Sequence, residues 1–245
     1  MDLSERGAGA ARHPWEVERF RAYRRVLADH GALSARRILD VGAGDGWFGE
    51  SLITDLPHVE QLVCWDVNYS EYELTTDDPR VTRTVEVPEP GFDLVLVLDV
   101  LEHIEDPAGF VTSALAPVSG PGTPALVAVP GHPALFGNHD RALGHHRRYR
   151  AGELLAQLEP WIDVVDHGPL FTSLVPLRAT TVAAERVRRR PHEPGAHGVG
   201  GWRGGPLLTR VARAPLAADS AVTRRLGPLR RHLTGLSHWA YGYTR

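Results

Sequence analysis

Through the first two thirds of the chain, apolar residues fall into short, nearly continuous runs separated by stretches of helical spacing. Runs at 37–41, 61–67, 81–87, 92–98 and 125–129 are rich in Val, Ile and Leu. They are too short for buried helices, so they predict strands covered on both faces. Helical stretches lie near 47–56 and 107–116, the second opening at Pro107 and its connection closing at Gly120-Pro121-Gly122. Strand and helix in alternation predict a mostly parallel sheet. Ahead of the first strand, Val17, Phe20, Tyr23, Arg24 and Leu27 recur at helical spacing from Pro14 until Gly31 stops them. A helix at 151–158 and a sixth strand at 161–166 continue the pattern.

Beyond Gly168 the pattern changes. The spacing predicts a helix over about 173–190, a loop over the Gly-, Pro- and His-rich 191–205, and one or two helices over 206–231 interrupted at Pro215 and Gly227-Pro228. The final Ser237 to Tyr243 alternates with period two, as a strand does.

One stretch carries chemistry. Ile38 to Val41 is a buried-strand pattern that opens directly into Gly42-Ala43-Gly44-Asp45-Gly46 and then into the amphipathic Trp47, Phe48, Leu52, Ile53 and Leu56. Alternate glycines at such a strand-to-helix turn let backbone approach a ligand closely and aim amides at it. A second apolar run stops at Asp66, and the two together describe a nucleoside site. The spacing is G-x-G-x-G with Trp at position 47. A dinucleotide site wants G-x-G-x-x-G and room for a pyrophosphate, so an NAD-dependent oxidoreductase is disfavoured.

The loop Asp40 to Gly46, the strand-ending Asp66, and Phe92-Asp93-Leu94-Val95-Leu96-Val97-Leu98-Asp99-Val100-Leu101-Glu102-His103 resemble class I S-adenosylmethionine-dependent methyltransferases, in order, over roughly residues 36–167. The resemblance implies an α/β, Rossmann-like, doubly wound fold: a mostly parallel seven-stranded sheet with helices on both faces and a helical insertion before the last strand. It implies one domain over 1–245, with an N-terminal helical lid (1–35, Trp15 and Arg19 being lid contacts), a cofactor-binding core (36–172), an acceptor-covering insertion (173–231) and a terminal strand (232–245). S-adenosyl-L-methionine is the implied cofactor, with Asp40 near its amino group, Gly42, Gly44 and Gly46 along its methionine and ribose, and Asp66 accepting from the ribose hydroxyls. That last role also follows from chemistry, since a carboxylate is an acceptor-only group suited to a vicinal diol. Asp99 to His103 is the implied edge between cofactor and acceptor. The acid that often precedes the fourth strand and holds adenine is replaced by Thr84-Val85-Glu86-Val87-Pro88, leaving Glu86 as the nearby candidate.

Residues 131–150 follow the fifth strand, at the carboxyl end of the sheet where open α/β folds bind ligands. They include His132, His139, Asp140, His145, His146, Arg147, Arg148 and Tyr149, and the run Leu143 to Tyr149 followed by Glu153-Leu154 resembles a segment common in small-molecule methyltransferases. Methyl transfer needs alignment of the nucleophile and, for a protic acceptor, a base. His145 is the candidate base and Asp140 its orienting or alternative partner; a packing role for His145 is the competing account. No metal site is expected, because His139 with Asp140 and His145 with His146 are adjacent and no i, i+4 ligand pair is present.

The remaining features set bounds. A chain of 245 residues is long enough for a full α/β core. Its single cysteine, Cys64, falls in the second strand and reads as a core residue. All 27 basic residues are Arg; 13 of them, against three acids, lie in 178–245, leaving 14 against 27 acids before that point. Arg-rich solvated faces or intramolecular complementarity explain this asymmetry. The alternatives are an anionic small-molecule acceptor met by Arg210, Arg213, Arg224, Arg225, Arg230 and Arg231, while Leu207, Leu208, Val211, Leu226 and Leu229 pack inward, or contact with a membrane surface. Nucleic acid is not expected, as no reader motif is present. Neither a membrane-spanning run nor a secretion signal is evident, so a cytoplasmic location is expected. The leading function is methylation of a small molecule; a non-methylating S-adenosylmethionine-binding protein is the alternative.

Overall fold

The structure is a computed structural model and describes residues 12–188, 202 and 204–245. Seven strands form one sheet: β1 (Arg37–Val41), β2 (Gln61–Trp65), β3 (Val81–Thr84), β4 (Leu94–Leu98), β5 (Pro124–Pro130), β6 (Ile162–Leu170) and β7 (Ser237–Thr244). Their order is β3-β2-β1-β4-β5-β7-β6. Strands β1 to β5 pair in parallel, while β7 lies antiparallel between β5 and β6. The expected seven-stranded, Rossmann-like sheet is therefore present, and residues between β6 and β7 form the insertion.

Alternation within each strand builds two cores. Ile38, Cys64, Leu94, Leu96 and Leu126 pack on one face with Tyr23, Leu27, Phe48 and Leu52. Leu39, Val63, Val95, Val97 and Val127 pack on the other with Leu115, Leu154 and Leu158. Strand β4 is buried along its whole length, which accounts for its unbroken apolar run. Pro169 is tolerated in β6 because β6 is an edge strand, hydrogen-bonded on one side only.

The α-helices are α1 (Pro14–Asp29), α2 (Trp47–Thr54), α3 (Pro107–Phe110), α4 (Ala116–Val118), α5 (Asn138–Ala142), α6 (Ala151–Leu158), α7 (Val175–Arg188) and α8 (Pro206–Arg225), with short 3-10 turns between elements. His13 caps α1: its Nδ1 accepts from the Trp15 N–H at 3.2 Å, and Glu16 accepts from the His13 N–H at 3.1 Å. Strands β2 and β3 stop two and three residues before the expected ends, at Trp65 and Thr84. The predicted helix over 107–116 is divided by a π turn at Val111–Leu115, ahead of Pro117, which has no N–H to give the helical ladder.

The insertion departs from expectation in three ways. Helix α8 runs through Pro215 without a break. Pro215 and Val211 both lie on the exposed face, so the Val211 carbonyl that loses its partner is free to meet water. Leu208, Val211, Leu226 and Leu229 are exposed, and among the described residues of α8 Leu216 is the buried apolar one. The Arg residues are in part already paired: Arg213 donates to Glu18 of α1 at 2.6 Å, and Arg230 and Arg231 both reach Asp166 of β6. Much of the charge asymmetry is thus intramolecular complementarity. The expected loop at 191–205 falls almost wholly outside the described residues, as does the side chain of Leu207. Among the described residues, no helix is long and apolar enough to cross a membrane.

Candidate active site

The carboxyl ends of β1, β2, β4 and β5 open into one cavity of about 880 Å³. That is ample for a nucleoside with a small acceptor beside it. Its walls divide into a glycine-loop sector and a histidine sector.

In the first sector the chain leaves β1 through Gly42 at φ +60° and Gly44 at φ +56°. A Cβ on Gly42 would lie 2.6 Å from Val100 Cγ2, so a side chain there has no room. Gly44 presents bare backbone to the cavity, and its N–H donates to Asp66 Oδ2 at 2.9 Å. Asp66 Oδ1 accepts from the Asn68 N–H at 2.9 Å. Both bonds fix the carboxylate at the cavity wall while leaving lone pairs for a ligand. Trp65, Val67 and Asn68 line the wall beside it.

Asp99, at the end of β4, holds the left-handed conformation at φ +57°, which is strained for a non-glycine residue. Arg19 of α1 pairs with its carboxylate and lies over the Trp15 ring at 4.4 Å. Trp15 and Arg19 both line the cavity, so α1 contributes to its wall.

The histidine sector is built by the chain between β5 and α6. A bridge between Gly131 and Tyr149 closes this excursion at its base. It is fastened to the loop after β4 by the His146 N–H, which donates to the Glu102 carbonyl at 2.8 Å, and by the Tyr149 hydroxyl, which donates to the Leu101 carbonyl at 3.1 Å. These bonds bring His145 against His103, ring centroids 4.7 Å apart and edge to face. His145 Nδ1 lies 3.1 Å from Asp140 Oδ1. Burial pushes the Asp140 carboxyl up, but the His145 hydrogen bond, the charge of Arg148 and the Gly137 N–H outweigh it and hold the group well below the usual carboxylate range. Asp140 is therefore ionised, and its contact favours the His145 tautomer with the proton on Nδ1.

Glu102 is fully buried and lines the cavity, and neither of its carboxyl oxygens has a hydrogen-bond partner. Burial pushes its carboxyl up to about 8, against the pull of Arg19 and Arg148. Donor atoms of Glu102, His103 and His145 lie within 4.8 Å of one another, a spacing that suits a cation. Glu102 and His103 come from a different loop than His145, so the adjacent pairs His139-Asp140 and His145-His146 do not reveal this grouping.

Of the residues singled out in the sequence, Gly42, Gly44, Asp66, Asp99 and His145 meet around the cavity, and Asp40, Gly46 and Asp140 do not line it. Asp40 is buried, and burial pushes its carboxyl above the ordinary range. Its Oδ2 would lie 3.0 Å from a Cβ on Gly49, which places it beneath the glycine loop against α2. Gly46 starts α2 at φ +75°, where a Cβ would meet Glu50 and Arg83, so its need is for the turn itself. Asp140 stands behind His145, fully buried. Glu86 is exposed and away from the cavity. The six Arg residues expected to face an anionic acceptor are absent from the cavity wall, which the insertion instead covers with Leu174, Arg178, Trp202 and Leu216. Glu102 and Arg148 lay within segments the sequence singled out but carried no role there, and Arg178 had no signal, since its partner Asp140 is 38 residues away along the chain.

Comparison with known proteins bears on the family. A family model described as a methyltransferase domain matches residues 15–174. The ubiquinone biosynthesis O-methyltransferase of Hahella chejuensis is 33% identical over 105 residues, 39% of this chain and 44% of that protein. The protein of the same name from Burkholderia vietnamiensis is 34% identical over 106 residues, 39% and 45% of the two chains. The match thus spans less than half the length of these curated relatives. Among solved structures, one described as a sarcosine dimethylglycine methyltransferase from Galdieria sulphuraria superposes with a TM-score of 0.53 at 15% identity, covering 89% of this chain and 82% of that one. The chain belongs to the methyltransferase-domain family, the class I S-adenosylmethionine-dependent methyltransferases. S-adenosylmethionine is the cofactor of that family.

Proposed function

We propose that this chain transfers the methyl group of S-adenosylmethionine to a hydroxyl of a small-molecule acceptor. The observation that carries the reading is a single cavity with Gly44 and Asp66 at one wall and His145, backed by Asp140, at another. The residues present fit the cofactor: bare glycine backbone, a fixed acceptor-only carboxylate and an apolar indole at Trp65.

In this reading Asp66 receives the ribose hydroxyls, Gly42 and Gly44 lie along the methionine and ribose, Asp99 bounds the junction with the acceptor, and Asp40 and Gly46 support the loop from beneath. Residues 36–172 are the cofactor-binding core, 1–35 the lid, 173–231 the acceptor cover and 232–245 the closing strand. When bound, S-adenosylmethionine supplies a methyl group on a sulfonium, an electrophile that needs no further activation. The protein aligns the nucleophile and excludes water. His145 Nε2 accepts the acceptor's hydroxyl proton, while Asp140 fixes the ring through Nδ1. Trp15, Leu174, Trp202 and Leu216 keep the chamber dry. The O-methyltransferase names of the relatives support oxygen as the methylated atom.

Calorimetric titration with S-adenosylmethionine and S-adenosylhomocysteine, followed by transfer assays on a panel of phenols and hydroxy acids, tests the proposal. Cofactor binding with turnover of at least one hydroxyl acceptor is expected. Cofactor binding with methylation confined to amines would overturn the choice of oxygen, and no cofactor binding would overturn the reading entirely.

A further inference from the structure

Asp140 is where the insertion enters the acceptor loop. Its carboxylate is fully buried and takes four donors. Oδ1 accepts from His145 Nδ1 at 3.1 Å and Arg148 Nε at 2.6 Å; Oδ2 accepts from the Gly137 N–H at 2.8 Å and Arg178 Nη2 at 2.9 Å. A carboxylate offers about four lone-pair positions, so this one is filled. Three of the donors belong to the loop that carries Asp140 itself. The fourth comes from α7, 38 residues further along.

Helix α7 is moored to the same loop at more than this point. Glu185 accepts from the Asn138 N–H at 2.8 Å, Arg186 donates to the Ala134 carbonyl at 3.1 Å, and Val182 is buried. The fit is close: a Cβ on Gly137 would come within 2.6 Å of Glu185 and 3.1 Å of both Arg178 and Val182. Gly137 is needed because α7 lies directly on it.

We propose that Arg178 is a positioning residue: by filling Asp140 Oδ2 from α7 it locks the plane of the carboxylate that orients the His145 imidazole, so the insertion sets acceptor-side geometry as well as covering the cavity. The torsion that turns an Asp carboxylate is soft and roughly two-fold, so its plane is fixed only by what bonds to it. Without Arg178, Oδ2 keeps the Gly137 N–H alone, and the carboxylate plane that faces His145 is held by three donors in place of four and is less tightly fixed. Arg148 still compensates the buried charge of Asp140. Its planar fork makes Arg better suited than Lys to such a contact. The consequence for turnover rests on His145 acting as the base; the orientation of the ring does not.

The direct test is nitrogen-15 NMR of the His145 ring in the full chain with S-adenosylhomocysteine bound, comparing wild type with Arg178→Leu, Arg178→Gln and Arg178→Lys. Wild type should show one protonated, hydrogen-bonded Nδ1. Leu and Gln should shift or broaden that signal, and Lys should restore it in part. Transfer to the best acceptor in the phenol and hydroxy-acid panel should fall roughly 10-fold or more in kcat in the Leu variant, with cofactor affinity unchanged. The Gln variant keeps a polar side chain at the position and carries the comparison should Leu fail to fold. His145 resonances identical to wild type in either removal variant would overturn the proposal. Unchanged transfer in His145→Ala would overturn the base assignment alone, leaving the ring resonances to judge Arg178.

Discussion

The backbone N–H of Gly44 donates to the Asp66 carboxylate at 2.9 Å across 22 residues, joining the turn after β1 to the end of β2 as one unit. The acid therefore shapes the glycine loop as well as facing the cavity. Asp66→Asn keeps the side-chain shape and loses the charge, and it is expected to weaken S-adenosylmethionine binding by about 1 to 3 kcal/mol. Calorimetry on the folded variant decides it: unaltered affinity would remove Asp66 from the ribose site.

Gly44 holds φ +56° on the cavity wall. Valine there opposes the left-handed backbone, at about 1 to 2 kcal/mol, and fills space a ligand needs. Gly44→Val should lower the melting temperature by a few degrees yet abolish cofactor binding. Thermal unfolding alongside titration separates the two effects, and wild-type binding would sink the loop assignment.

His145 faces the cavity and Asp140 holds it from behind. His145→Ala is expected to slow transfer by roughly 100- to 10,000-fold while leaving cofactor affinity near wild type. Single-turnover rates provide the measurement. An unimpaired rate reduces His145 to packing.

His238 lies buried on β7, and burial, with His132 and His167 nearby, pushes its imidazole from 6.5 down to about 4. Between those values the unfolded chain binds more protons than the folded one, so stability is intact above about pH 6.5 and falls as the pH drops toward 4. His238→Gln removes this contribution. Its loss of stability between pH 7.5 and pH 4.5 should be smaller than that of wild type by about 1 to 3 kcal/mol. Urea midpoints at both pH values test it, and parallel losses would show that His238 is not the group responsible.

Much of the architecture was written in local pattern. Leu94 to Leu98 could only be a strand buried on both faces, and the run at Ser237 to Tyr243 predicted a closing strand, whose burial on both faces and antiparallel pairing the sheet decides. Gly42 and Gly44 announced the turn, because positive φ and close approach are properties of the residue itself. Asp66 was legible for the same reason: it ends a strand beside that turn.

The acceptor side was legible only in outline. His145 and Asp140 stood out as chemistry-bearing residues in one loop, but neighbours from elsewhere complete their surroundings: Glu102 and His103 from the turn after β4, and Arg178 from α7. The fate of the arginines was likewise undecided in the sequence. Arg213 and Arg230 had the spacing of residues free to meet a ligand, and the structure commits them to Glu18 and Asp166. Local pattern determines strands, turns and the loop at a strand's end, since those depend on neighbours within a few residues. Which charges meet across the fold depends on how helices dock on the sheet, and that docking is decided by packing the whole core at once.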